Sequence, residues 1–139
     1  MIFTSYFANL KNCPKNYRKV AICQYPPKGW SSEIEQALTP TKTLFSAIKY
    51  GKITMEEFDE QFNEQLSKLD PLEVGFKYQD SILLCYEKDP NECHRKQVAE
   101  WLESNGVGCE EYSIGKEVAY ENVKRAPIHT NEENAISNV

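Results

Sequence analysis

Apolar and polar positions along this chain follow two periods, and the switches between them mark its elements. Residues 2–7, 19–25, 81–87 and 107–112 are short, apolar-rich runs bounded by turn residues, and they predict strands. The run at 81–87 is close to continuously apolar, as a strand covered on both faces requires. Between the strands the period lengthens. Thr39-Pro40 offers a cap and a first-position proline for a helix carrying Leu44, Ala47 and Ile48, stopped by Gly51. Thr54 and Glu57 form the pattern of a capping box. The stripe behind it, Met55, Phe58, Phe62, Leu66 and Leu69, is spaced 3, 4, 4 and 3 and ends at Asp70-Pro71. Asp89, Pro90 and Glu92 suit the cap, first and third positions of a further helix with Val98, Ala99 and Leu102 inside and Gly106 as its stop. That helix would carry Cys93, His94 and Arg95 in its first two turns, near the positive end of its dipole.

Strands alternating with helices predict an α/β fold: a small open, mostly parallel sheet with helices on its faces, a Rossmann-like three-layer arrangement. In such sheets ligands bind beyond the carboxyl ends of the strands. Those ends hold Ser5, Tyr6 and Asn9, then Gln24 and Tyr25, then Cys85, Tyr86 and Glu87. After Ser113 the composition turns polar. We therefore expect one domain over residues 1–113 and a partly disordered polar tail over residues 114–139.

Composition narrows the function classes. A length of 139 residues supports one core without disulfide staples. A formal charge of -5 without a Lys/Arg run argues against non-specific nucleic-acid binding, which depends on neutralising phosphates. No apolar run approaches the roughly 20 residues needed to cross a bilayer, and the first residues do not read as a signal peptide. Five scattered cysteines, Cys13, Cys23, Cys85, Cys93 and Cys109, then suggest reduced thiols in a cytoplasm.

The segment from Leu83 to Arg95 concentrates the chemistry. Arg95 near a helix start suits a phosphate or carboxylate, although pairing with Glu87, Glu92 or a tail carboxylate would make it a structural tie. His94 titrates near neutrality and suits proton transfer, or it holds a loop through a hydrogen bond. Glu87 can hold a hydroxyl, orient His94 or act as a base. Cys93 beside two basic residues is a candidate nucleophile, whereas Cys85 reads as core. A phosphatase-type loop, cysteine followed six residues later by arginine, is excluded, because those positions hold Asn91 and Ala99. Tyr6 and Tyr86 are candidates for stacking on a base, with Ser5 and Asn9 as polar ligands. Cys85, Cys93 and His94 also supply three ligands suited to zinc. Their spacing matches no closed zinc module, and His129 would be a distant fourth.

Three blocks carry a resemblance. They are Thr4-Ser5-Tyr6-Phe7-Ala8-Asn9-Leu10, then Leu38-Thr39-Pro40 with Tyr50-Gly51-Lys52-Ile53-Thr54 and Phe58, and then Leu84-Cys85-Tyr86-Glu87 followed by Cys93-His94-Arg95. On these blocks, over roughly residues 2–112, the chain resembles the bacterial and phage family catalogued as domain of unknown function 488. The resemblance implies an α/β fold and a site at the Cys-His-Arg block, and brings no reaction with it. The resulting expectation is an enzyme acting on a phosphate-bearing, nucleotide-like small molecule. Arg95 would bind the anion, His94 move a proton and Glu87 orient or serve as base, with no cofactor implied. Two other classes stay open: a regulatory or interaction protein binding a nucleotide or, through its tail, a protein partner, and a zinc-binding protein.

Overall fold

The structure, a computed structural model, describes residues 1–114. The polar tail expected beyond Ser113, including His129, lies outside the described residues apart from Ile114. Among the described residues five strands form one sheet: β1 (Ile2–Tyr6), β2 (Arg18–Ala21), β3 (Glu33–Ile34), β4 (Ser81–Cys85) and β5 (Cys109–Glu111). All pairings are parallel, and the order is β3-β2-β4-β1-β5. The helices are α1 (Lys42–Lys49), α2 (Met55–Ser67), α3 (Pro71–Lys77) and α4 (Arg95–Ser104). None of them is long and apolar enough to cross a membrane.

The sheet separates two cores because alternate strand residues face opposite ways. On one face Ile2, Val20 and Leu83 pack against Leu44 of α1, Phe58, Phe62 and Leu66 of α2, and Val98 and Leu102 of α4. On the other, Phe3, Ile82 and Leu84 meet Cys13, Tyr17 and Tyr112, with Phe7, Leu10 and Trp30 at the margin. This second layer consists of the 3₁₀ segment Phe7–Asn12 and loops. Every residue of β4 is buried, which is why its sequence is uninterrupted in apolar character.

Several expected starts and stops are where the pattern put them. Thr54 and Glu57 close a reciprocal capping box at the head of α2. Helix α1 is capped by Thr41, two residues later than expected. Asp70-Pro71 does more than end α2. Asp70 accepts from the Leu72 and Glu73 amides and opens α3, a helix the apolar pattern did not announce. Its Gly75 explains part of that silence, since glycine weakens a helix interior. The glycine is there for space: a Cβ on Gly75 would stand 2.7 and 2.9 Å from the two methyls of Val107. Gly75→Ala should therefore cost about 1–2 kcal/mol despite alanine's better helix propensity. Combining it with Val107→Ala should recover the crowding part of that loss in thermal melts; two strictly additive penalties would show that no crowding exists.

The strand order sets the location of the crevice. The chain leaves β1 through the 3₁₀ segment on one face and leaves β4 toward α4 on the other, and these two strands are neighbours in register, Tyr6 opposite Cys85. Connections departing in opposite directions from adjacent parallel strands open a gap at their carboxyl ends.

Candidate functional site

A cavity of about 450 Å³ lies at the carboxyl ends of β2 and β4, closed by α1, α2 and the start of α4. Phe45, Ile48, Met55 and Phe58 give it an apolar wall, and Gln24, Asn91 and Gln97 supply amides. Four carboxylates (Asp59, Glu87, Glu92 and Glu100) and one ammonium (Lys96) ring it. Lys96 is itself paired with Glu100 at 3.1 Å. The cavity is thus acidic, suited to hydroxyl-rich or cationic groups more than to several phosphates.

Of the residues expected to form a site, Glu87, Cys93, His94 and Tyr86 line this cavity. Ser5, Tyr6, Asn9 and Arg95 are not among its walls. Ser5 is buried and accepts from the Asn9 amide at 3.0 Å, while Asn9 accepts in turn from Asn12 at 2.8 Å, so both close the 3₁₀ segment. The Tyr6 ring stands 5.7 Å from the Arg95 guanidinium carbon. Tyr86 donates to the Tyr25 carbonyl at 2.6 Å and meets the Phe7 ring, which leaves its own ring half exposed at the mouth.

Arg95 is the clearest correction. It is fully buried, and its five N–H donors are all engaged. Nε and Nη2 grip both Glu111 oxygens at 2.9 Å, Nη2 also reaches the Lys88 carbonyl, and Nη1 donates to the Glu87 carbonyl and to Cys85 Sγ at 3.2 Å. With five donors in all, a guanidinium so engaged has none left for an anion. It fastens the turn after β4 to the edge strand β5, where Thr4 adds a 2.7 Å bond to the same carboxylate.

The helix start also differs from expectation. Asp89 and Pro90 do cap a turn, but only the 3₁₀ turn Pro90–Glu92; Cys93 is then extended, and α4 begins at Arg95 with no side-chain cap. Cys93 and His94 therefore precede the helix instead of riding on it. Cys93 Sγ turns back to Cys85 and is joined to it in a disulfide, across a Cα separation of 7.2 Å. This replaces the expectation of wholly reduced thiols, and a nucleophilic Cys93 would first require its reduction.

His94 is held by its neighbours. Its Nε2 faces the Ile22 carbonyl, which can only accept, so the proton sits on Nε2 and the Nδ1 lone pair points toward Cys93 Sγ, 3.8 Å away. Burial, reinforced by the positive charge of Arg95, pulls its pKa down to about 4 against the pull of the Ile22 bond. A ring neutral at physiological pH can accept at Nδ1 but does not serve there as a general acid. Phe62 supports it edge-on at 5.4 Å.

Sequence reasoning placed Gln24 at a strand end but missed Cys23 and the helix faces. Cys23 is buried beside Cys85 and Cys93, and burial raises its thiol to about 11. Asp59 and Gln97 belong to helices whose sequence is read only for caps and apolar stripes. The pairing of β2 with β4 brings Cys23 and Gln24 to the site.

The model for the Active DUF488-N3 subclade matches residues 6–106. The chain belongs to the DUF488 family. No curated protein and no solved structure matches it.

Proposed function

We propose that the chain is an enzyme acting on a nucleotide-like small molecule held in the cavity at the ends of β2 and β4. The observation that carries this reading is that the cavity opens beyond the carboxyl ends of two parallel strands, one strand over from the gap between β1 and β4, with the exposed Glu87 on its wall. An apolar and aromatic wall suits a base, the amides of Gln24 and Gln97 suit its polar edges, and the carboxylates suit sugar hydroxyls. Lys96 takes the place that Arg95 cannot fill, and one ammonium among four carboxylates favours a nucleoside or a monophosphate over a triphosphate. Glu87 serves as the carboxylate for proton transfer or hydroxyl orientation. The family model's description of its subclade as active supports catalysis over passive binding.

Thermal melts of the full chain with nucleosides and their mono-, di- and triphosphates test this reading. Nucleosides or monophosphates should raise the melting temperature; a ligand at 100 times its Kd adds about 2.7 kcal/mol. Lys96→Ala should weaken a monophosphate and leave the nucleoside unchanged. Glu87→Gln should lower turnover of the compound so identified at least tenfold while leaving the unliganded melt in place, because Glu87 is exposed. A panel in which no member shifts the melt would end the proposal.

A further inference from the structure

We infer that Cys85, Cys93 and His94, once the two cysteines are reduced, form a zinc site that opens onto the cavity. It stands apart from the nucleotide reading, although both use the same cavity. The three donor atoms, two Sγ and one imidazole nitrogen, all lie within 4.8 Å of one another. Two bonds of about 2.3 and 2.05 Å at a tetrahedral angle place sulfur and nitrogen about 3.6 Å apart. Cys93 Sγ and His94 Nδ1 are 3.8 Å apart.

The surroundings are those a metal site needs. A ligating histidine normally donates its second ring N–H to a carbonyl or carboxylate, which fixes the tautomer. Here Nε2–H is given to the Ile22 carbonyl, so Nδ1 is left to coordinate. A ligating thiolate needs its charge stabilised, and the buried Arg95 guanidinium donates to Cys85 Sγ at 3.2 Å. The Cα atoms of Cys85 and Cys93 are 7.2 Å apart. That lies beyond the usual disulfide span of about 4.4–6.8 Å, whereas two thiolates sharing one ion need sulfurs only about 3.8 Å apart. Donors of two thiolates and one imidazole match zinc by softness, and the dianionic pair balances a divalent charge.

Loading is a two-step exchange. A dithiol reductant gives two electrons and two protons to the Cys85–Cys93 bond, leaving two thiols on the protein and a disulfide on itself. Zinc then displaces both thiol protons to the solvent as it binds two thiolates and the neutral imidazole. All three ligand residues line the cavity, so the fourth position faces it, as in catalytic zinc sites and unlike closed structural ones.

The full chain, reduced with a phosphine, freed of metal and kept anaerobic, is titrated with zinc against a chromophoric chelator and, separately, with cobalt. One ion per chain is expected, with a thiolate-to-cobalt charge-transfer band. Cys93→Ser should weaken zinc at least a hundredfold and His94→Ala at least tenfold, whereas Cys23→Ser should leave it unchanged. Bound zinc should also protect two thiols from alkylation, mapped to Cys85 and Cys93; this reading on the unmodified chain decides the matter should a variant not fold. The site is overturned if the reduced chain takes up no stoichiometric zinc or if Cys93→Ser binds it as before. Protection mapping to other cysteines would overturn it equally. None of these readouts needs a substrate, so the zinc site and the nucleotide reading can fail separately.

Discussion

Replacing Arg95 by alanine is expected to lower the unfolding free energy by about 3–5 kcal/mol, the range for removing one partner of a buried ion pair. The size follows from what is left behind. Glu111 loses both charge-assisted bonds, the carbonyls of Glu87 and Lys88 and the sulfur of Cys85 lose their donors, and a guanidinium-sized void opens. Glu111 is one-third exposed, so water relieves part of its loss and holds the estimate at the lower end. Arg95→Lys should recover only a fraction, because a three-donor point charge cannot satisfy a fork, two carbonyls and a sulfur at once. Urea unfolding of both variants measures this. A loss below about 1 kcal/mol for Arg95→Ala would show that the bonds are dispensable and would return Arg95 to the list of candidate ligand residues.

Phe62→Ala should cost a comparable amount, about 3–5 kcal/mol, by the usual cost of truncating a buried phenylalanine. Phe62 is fully enclosed, stacks beside Phe58 and meets the His94 ring edge-on. Phe62→Leu keeps most of the volume and should lose under about 1.5 kcal/mol. The pair separates filling from ring chemistry: if leucine proves as costly as alanine, the aromatic edge against His94 carries the stability instead of the packing. Denaturant unfolding followed by far-UV circular dichroism gives both values.

How far the sequence carried depended on the range of the forces involved. The capping box of Thr54 and Glu57 and the stripe from Met55 to Leu66 are local, and α2 stands as they predict. The same holds for β4, whose seven-residue apolar run becomes a five-residue central strand. Strand β3 is two exposed residues that exist as a strand only because β2 lies alongside, and no propensity in Glu33-Ile34 announces that. Asp70-Pro71 illustrates a real ambiguity, since aspartate and proline end one helix with the chemistry that starts another. The Asp89-Pro90-Glu92 pattern failed for a different reason. Its cap formed, but the chain breaks at Cys93, whose sulfur is bonded back across the turn to Cys85. The candidate site was legible in location through Glu87, Cys93 and His94, which do line one cavity. The fate of Arg95 was not, because its partner Glu111 stands sixteen residues away on a strand edge, where a carboxylate reads as solvent-facing.

The position of β1 bears on how the chain reaches this state. The first of the described strands in chain order lies between β4 and β5, and its hydrogen-bonding partners are residues 82–85 and 109–111. As the polypeptide lengthens, Ile2 and Phe3 wait through some eighty residues before either edge of their strand can be matched. Pairings of such sequence separation are slow to close. A nascent segment with an apolar, unmatched edge is open meanwhile to wrong partners. Burial of β1 is accordingly a late event, and holding Ile2–Tyr6 unengaged until β4 emerges becomes a task for the ribosome-bound chain and its chaperones.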